Sequence, residues 1–380
     1  MKQIKKVTSF FTGETHLPIR RDTFAQRMHI DIPLLLGIIT LVLSGLFILY
    51  SAANQDVGMI EQQAIKIVAA FILMIALAQI PPEKYRTWAP WIFGFSLMLL
   101  VAVLLVGHTG KGATRWLNLG PVRFQPSELM KLALPLMLAW FFQGKQLPPR
   151  FFAIVLAVIF IAIPAALIAK QPDLGTALLI AGSGSFVLLL AGMSWWLILL
   201  ILIAAGSCTP VLWHFLHDYQ KQRVLTFLNP ENDPLGTGYH IIQSKIAIGS
   251  GGLFGKGWLH GTQSHLSFLP EHATDFIFAV CGEELGLIGC VALLIIYFYI
   301  ISRCLFIAMQ AKDTFSRLVV GSLTLTFFLC MTINIGMVTG ILPVVGVPLP
   351  LVSYGGTSVV TVLASFGIIM SIHSHRKLLA

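Results

Sequence analysis

Asp275 stands on the lip of an apolar run, in PEHATDFIFAV (270–280). Glu271 precedes it by one helical turn, and no polar side chain follows from Phe276 to Val280. Such a group is either the last solvated residue before a helix or a carboxylate that works at a membrane surface. In the second case it is a general base, able to take a proton from an attacking hydroxyl. A second constellation lies in KGATRWLNLGPVRFQPSELMK (111–131), which gathers Lys111, Arg115, Arg123 and Lys131. Arginine presents a fixed fork of donors that suits phosphate oxygens, so this stretch is a candidate phosphate site. The alternative is snorkelling to lipid headgroups, which long cations do near the ends of spans. Gln125 and Ser127 open the next helix, with Ser127 as its expected N-cap. Glu128 and Lys131 are three apart, so they share a helix face and can pair. Glu283 and Glu284, in CGEELG (281–286), fall roughly 12–13 Å past Asp275 along a helix axis. Carboxylates inside a membrane are costly and point to function. Their structural alternative is pairing with Lys66, Lys131 or an outer Arg.

Other patterns carry less. GSGGLFGKG (249–257) resembles a phosphate loop, but Ser250 replaces the first Gly and Gly257 the final Ser/Thr, so no nucleotide is expected. Its glycines are read as permitting tight turns or close backbone approach. His240, His260, His265 and His272 share one loop at spacings that match no zinc pattern. Cys208, Cys281, Cys290, Cys304 and Cys330 are scattered through apolar runs and read as small core residues.

The elements that must position these groups are membrane helices. The chain has 380 residues, 56% hydrophobic and 11% charged, with a mean hydropathy of +0.84. Soluble domains average about 25% charged residues. About ten spans are expected, at 33–50, 64–80, 89–106, 126–142, 151–169, 175–191, 195–216, 276–301, 316–339 and 356–372. Pro135 and Pro164 sit inside spans, which bundles tolerate. The whole chain, 1–380, reads as one all-α polytopic membrane domain. Residues 1–32 are polar and basic and read as a cytoplasmic segment rather than a cleavable signal. With that segment inside, the cytoplasmic stretches hold 15 of the 25 Lys and Arg. Both termini are then cytoplasmic, and two outer loops remain, 107–126 and 217–275. The net charge of +9 follows this membrane pattern and implies no nucleic acid. Segment 239–249 has the pattern of an amphipathic helix, either lying on or re-entering the membrane or packed on top of the bundle. The long, glycine-bearing second loop is expected to be mobile and to reposition Asp275.

NIGMVTGILPVVGVPLPLVSYGGTS (334–358) resembles the C-terminal signature of the SEDS family (shape, elongation, division and sporulation), through Asn334, Gly340, Pro343, Gly346, Ser353, Tyr354, Gly355 and Gly356. GATRWL, QPSELMK, QPDLGTA and TDFIFAVCGEELG add to it, so the resemblance covers nearly the whole chain. Short termini, HDYQKQRV and GYHIIQSKIAIGSGGLFGKGWLHGTQS make it similar to the elongation branch rather than the division branch. The resemblance implies a peptidoglycan glycosyltransferase that polymerises lipid II outside the cytoplasmic membrane. It also implies a class B penicillin-binding protein as transpeptidase partner within the elongation complex, and stimulation by a divalent cation such as Mg or Mn. The family's essential Asp falls on Asp275, its loop cations on Arg115 and Arg123, and its Glu–Lys pair on Glu128 and Lys131. Lys111, Gln125, Ser353 and Tyr354 complete the candidate substrate-binding set. Relatives often carry His directly before the motif's Thr. This chain has Ala273 there, with His272 one position earlier.

The residues suit that chemistry. A lipid-linked pyrophosphate leaves without a general acid, provided cations or a metal stabilise its growing charge. The acceptor hydroxyl then needs one base, not the carboxylate pair of glycoside hydrolysis. Apolar neighbours would raise the Asp275 pKa, and a helix N-terminus capped by Thr274 would lower it. A lipid II flippase and a non-catalytic cell-wall scaffold are the alternatives. A flippase needs a polar path through both leaflets, which the inner half of most spans does not offer.

Overall fold

The structure, a computed structural model, describes residues 29–110, 113–119, 122–194, 237–265 and 271–375, with isolated residues between 196 and 229. The first helices are α1 (Ile32–Ala52), α2 (Val57–Ala78) and α3 (Pro82–Val106). Strands β1 (His108–Gly110), β2 (Ala113–Leu119) and β3 (Val122–Phe124) follow, then α4 (Pro126–Phe142), α5 (Phe151–Lys170) and α6 (Leu174–Leu190). After these come α7 (Thr237–Gly251), the single turn α8 (Thr262–His265), α9 (Ile277–Gln310), α10 (Thr314–Val338) and α11 (Thr357–His375). Seven of the described helices, namely α1, α2, α3, α5, α9, α10 and α11, are long and apolar enough to cross a membrane. Helix α6 is a shorter apolar helix, and α4 has 17 residues. The expected span 195–216 lies almost wholly outside the described residues, as do residues 1–28 and, within the second loop, 230–236 and 266–270.

Local chemistry sets the starts. The carboxylates of Asp31, Asp56, Asp173 and Asp313 accept backbone N–H groups at the heads of α1, α2, α6 and α10, satisfying donors that have no helical partner. Helix α4 departs from expectation. Its N-cap is Gln125, without a side-chain cap bond, and Ser127 is inside the helix, accepting from Gln125 Nε2 at 3.0 Å. Pro126 explains the shift, because proline is pre-organised for the first helical position and needs no N–H there.

Helix α4 is buried on nearly all sides and packs against α3, α6 and α10. A helix apolar all round belongs in the middle of a bundle. Helices α2 and α11 pack along one another, as do α9 with α1 and α10. Large apolar side chains such as Leu36, Leu43, Trp91 and Phe152 are exposed, as suits a surface that meets lipid.

Two features were not foreseen. The loop over 107–126, expected on the outer side, folds into an antiparallel sheet of order β1-β2-β3. Alternation along ATRWLNL puts Arg115 and Leu117 on one face, and Leu117 is buried. The second is a break in α9 at Gly286 (φ 66°, ψ −163°), a conformation essentially restricted to glycine.

Candidate active site

Asp275 sits in a turn over residues 271–276, half-buried, just ahead of α9. Thr274 does not cap that helix. Phe276 holds the N-cap position without a side-chain bond, and Thr274 Oγ1 donates to Glu271 O at 3.2 Å. The turn takes up the hydroxyl, so Thr274 is not the N-cap expected for this helix.

The 334–358 signature grips this turn. Asn334 Nδ2 donates to Asp275 O (2.8 Å) and to Val347 O (2.7 Å). Ser353 Oγ donates to Thr274 O (2.6 Å) and accepts from Leu349 N (2.8 Å). The Tyr354 N–H donates to Ala273 O at 2.9 Å. Each such bond contributes about 1 kcal/mol net, and together they hold three consecutive carbonyls. Glu271 and Leu351 carry positive φ values of 59° and 64° on the two sides of this contact, a strain that persists only where surroundings over-determine it. Gly346 lies beside the carboxylate, where a Cβ would stand 3.5 Å from Asp275 Oδ2. Ser353 therefore holds the backbone of the Asp275 turn, and Tyr354 does so while also meeting Lys66.

Near the turn lies a small cleft between α4, α10, α11 and residues 347–350. Val347, the neighbour of Gly346 and a partner of Asn334 Nδ2, forms part of its wall, so the segment that packs beside Asp275 also walls the cleft. Glu128 and Lys131 line it and meet at 2.6 Å, as their spacing predicts. Glu128 Oε2 is buried with no hydrogen-bond partner among the described residues. A buried acceptor left open in a cleft suits the hydroxyl or amide donors of a ligand.

The sheet brings a third group. Arg115 Nε lies 3.0 Å from Asp173 Oδ2, without hydrogen-bond alignment. Asp173 is 2% exposed and also receives Thr176 N and Thr176 Oγ1. It contributes to the field at Lys131 as well. Two residues on, Gly175 abuts Val345, where a Cβ would stand 1.9 Å from Val345 Cγ1. The loop cation, the α6 cap and the 343–350 segment are thereby linked to the Asp275 turn. Asp173 was missed from sequence. QPDLGTA was read as a landmark, although an Asp before an apolar run is a capping signal. Gln125 spends its amide on Ser127. Lys111 lies outside the described residues. Arg123 contributes backbone pairing with Asn118 in the sheet, and its side chain lies outside the described residues.

Glu283 and Glu284 pair with neither Lys66 nor Lys131. Glu283 Oε1 accepts from Lys256 Nζ (2.7 Å), Thr262 N (2.8 Å), Thr262 Oγ1 (3.0 Å) and Gln263 N (2.9 Å). Glu284 Oε1 accepts from Ser51 Oγ (2.6 Å) and Gly261 N (3.3 Å). The segment after α7 folds back onto the break in α9, which sequence spacing could not show. Its glycines make the close approach expected of them, since a Cβ at Gly251 would stand 2.0 Å from Gly282 O. Helix α7 packs on the bundle, with Ser244 Oγ donating to Val338 O at 2.9 Å. His240 stacks on Phe276 with ring centroids 5.7 Å apart, and His260 Nδ1 lies 2.9 Å from Trp258 O. The four described cysteines are buried and free.

The fold and site define a polytopic helical membrane protein with a gripped carboxylate beside a cleft that contains a buried ion pair. The FtsW/RodA/SpoVE family model, described as "Cell cycle protein", matches residues 26–378, and the chain belongs to that family. It is 53% identical over 361 residues to the peptidoglycan glycosyltransferase MrdB of Escherichia coli (strain K12), covering 95% of this chain and 98% of that one. It is 37% identical over 358 residues to the protein of the same name in Helicobacter pylori, covering 92% and 91%. A chain of a peptidoglycan synthase complex, solved for the coordination of polymerization and crosslinking, superposes with a TM-score of 0.80 at 34% identity, covering 91% of this chain and 98% of that one. The crystal structure of the rod shape determining protein RodA of Thermus thermophilus gives 0.70 at 29% identity, covering 91% and 97%.

Proposed function

We propose that this protein is a peptidoglycan glycosyltransferase that polymerises lipid II at the outer face of the bacterial cytoplasmic membrane. The observation that carries this reading is the junction of the Asp275 turn with the cleft holding Glu128 and Lys131, in a chain so similar to named glycosyltransferases. Asp275 takes the proton from the acceptor sugar hydroxyl. That oxygen attacks the anomeric carbon of the donor sugar, and the bond to the lipid-linked diphosphate breaks. Lys131, oriented by Glu128, and the loop cations Arg115 and Arg123 offset the charge that develops on the leaving group. Glu128 Oε2 accepts a hydroxyl or amide of the donor.

Among the described residues a divalent cation fits in one way. The described residues contain no group of three His, Cys, Asp or Glu able to hold a metal. Mg²⁺ and Mn²⁺ are commonly held by one or two carboxylates together with substrate phosphates, and Asp275 offers one carboxylate. When bound, the ion would neutralise diphosphate charge. The partner in this reading is a class B penicillin-binding protein of the elongation complex, supported by the likeness to a chain of a peptidoglycan synthase complex.

The test is polymerisation of lipid II by the purified protein with its partner and Mg²⁺ or Mn²⁺, read as glycan on a gel. Wild type should make polymer. Asp275→Asn should lose at least about 100-fold in rate, the usual worth of a general base. Near-normal polymer from Asp275→Asn removes it from that role. Transfer of lipid II across vesicles by wild type without polymer would favour a flippase, and neither activity would leave a scaffold.

A further inference from the structure

Lys66 is a half-buried cation inside a span that has no carboxylate partner among the described residues. It lies in α2, about 14 Å along the helix from Val57. Arg115, Lys131, Lys256 and Arg303 each have a carboxylate partner at 2.6–3.0 Å. Among the described residues no carboxylate pairs with Lys66. Its Nζ donates to Tyr354 Oη at 3.0 Å and stands 4.3 Å from the centre of the Tyr354 ring. A lysine inside a span is costly, and one that only snorkels reaches for the headgroups. This one is folded back onto the bundle, half-buried, with donors to spare.

Its surroundings suit an anion. Tyr354 Oη donates to Gln62 Oε1 at 3.2 Å, and Gln63 Oε1 accepts from Gly355 N at 3.3 Å. Gly356 lies alongside the Lys66 stem, where a Cβ would stand 3.6 Å from Lys66 Cδ, an ordinary contact. Tyr354 connects this place to the chemistry, because its N–H holds Ala273 O two residues before Asp275. Four residues further on, Ser358 lines the cleft that contains Glu128 and Lys131. Segment 353–358 therefore meets Lys66 through Tyr354, the Asp275 turn through Ser353 and the Tyr354 N–H, and the cleft of Glu128 and Lys131 through Ser358.

Polymerising a lipid-linked sugar brings two lipid-linked diphosphates together, one on the donor and one on the acceptor. The cleft serves the one that leaves. We propose that Lys66, with Tyr354 and Gln62, holds the diphosphate of the acceptor, an inference that rests on the glycosyltransferase reading. Lys66 does not take part in bond breaking. It anchors the acceptor so that its sugar hydroxyl meets Asp275.

The experiment measures binding of a polyprenyl diphosphate to the purified protein in detergent, and separately the KM and kcat for lipid II. Wild type should show two binding events. Lys66→Gln and Lys66→Met should weaken one of them about tenfold, the scale of one charge-assisted hydrogen bond. They should raise KM by a similar factor with kcat little changed. Lys66→Arg should retain binding. Tyr354→Phe should retain most of it, because the ammonium remains. Unchanged binding in both neutral variants overturns the proposal, as does Tyr354→Phe matching Lys66→Gln, which would make Lys66 a mere prop for the turn. Displacement of the diphosphate from this site by equal phosphatidylglycerol also overturns it, in favour of a phospholipid headgroup site. A wild type that binds diphosphate through Lys66 but makes no polymer would sink the glycosyltransferase reading and leave the anion site standing.

Discussion

At the scale of single residues, the cleft depends on one close contact, the 2.6 Å bond between Lys131 and Glu128. Removing either partner strands the other in a nearly closed site, which costs about 3–5 kcal/mol for a buried pair. We expect Lys131→Met and Glu128→Gln each to lower thermal stability and polymer yield. The exchange Glu128→Lys with Lys131→Glu should recover part of both. Recovery is partial because a lysine in the first turn of α4 opposes the helix dipole. A double variant no better than the worse single variant would show that the pair is not the explanation. This contact was legible in the sequence because three-residue spacing on a helix fixes which side chains meet. The Arg115–Asp173 contact was not, since strand β2 and the head of α6 are brought together only by the packed fold. Asp275 was legible as a carboxylate at an apolar boundary. What holds it was not, because its anchors at Asn334, Ser353 and Tyr354 come from far along the chain.

At the scale of elements, the sequence marks nearly every helix, since runs of apolar residues leave little choice of structure in a membrane. It does not mark the break in α9. A single Gly in CGEELG carries no signal of a φ of 66° until the neighbouring segment is seen to fill the gap. Over its described part, 237–265, that segment is bound to the bundle by Ser244, Gly251 and Lys256. Its glycines permit close packing rather than freedom. Gly255 (φ 78°) would place a Cβ 2.1 Å from Glu284 O. Gly255→Ala should therefore destabilise the protein by roughly 2–4 kcal/mol, from left-handed strain and overpacking combined. Gly249, with open space around it, is the control, and Gly249→Ala should leave the melting temperature nearly unchanged. Equal melting of the two variants would mean that the contact in solution is looser than described.

For the whole molecule, the telling feature is a knot at the end opposite Asp275, which ties the start of α1 to the later part of α9 and the end of α11. Asp31 receives Arg303 Nη2 at 2.6 Å and Nε at 3.0 Å, with His373 Nε2 3.2 Å away. His29 stacks on His375 with centroids 4.2 Å apart. Both ends of the described chain thus meet on one face, as the expected placement of both termini in the cytoplasm requires. Burial works to raise the Asp31 carboxyl, but Arg303, the Leu34 N–H and His373 outweigh it and hold the carboxyl below its usual range. Its contribution is therefore complete above about pH 4 and is lost as pH falls below that. Burial, and then the neighbouring His375, push the His29 imidazole down from 6.5. Folded His29 prefers to be neutral, so the unfolded chain binds the proton first. Its share of stability is present above about pH 6.5 and fades as pH falls from there toward the lowered value. Melting of the purified protein should decline on going from pH 7 to pH 5, and His29→Gln should flatten that decline. An identical slope in the variant would place the sensitivity elsewhere.

The break at Gly286 has a consequence for amide hydrogens. Lys256 and Gly257 donate to Glu283 O and Glu284 O at 3.0 Å each, while Leu287 and Ile288 donate to Gly252 O and Leu253 O at 3.0 and 3.2 Å. In an unbroken helix, Leu287 and Ile288 would bond within α9, and the loop amides would face water. Here each strand of this exchange shields the other, so all four should swap for deuterium as one unit, with one shared opening free energy. Deuterium uptake on the intact protein in detergent should show peptides covering 252–257 and 283–288 labelling at matching rates. Loop amides that label orders of magnitude faster than Leu287 and Ile288 would mean that the two halves open independently.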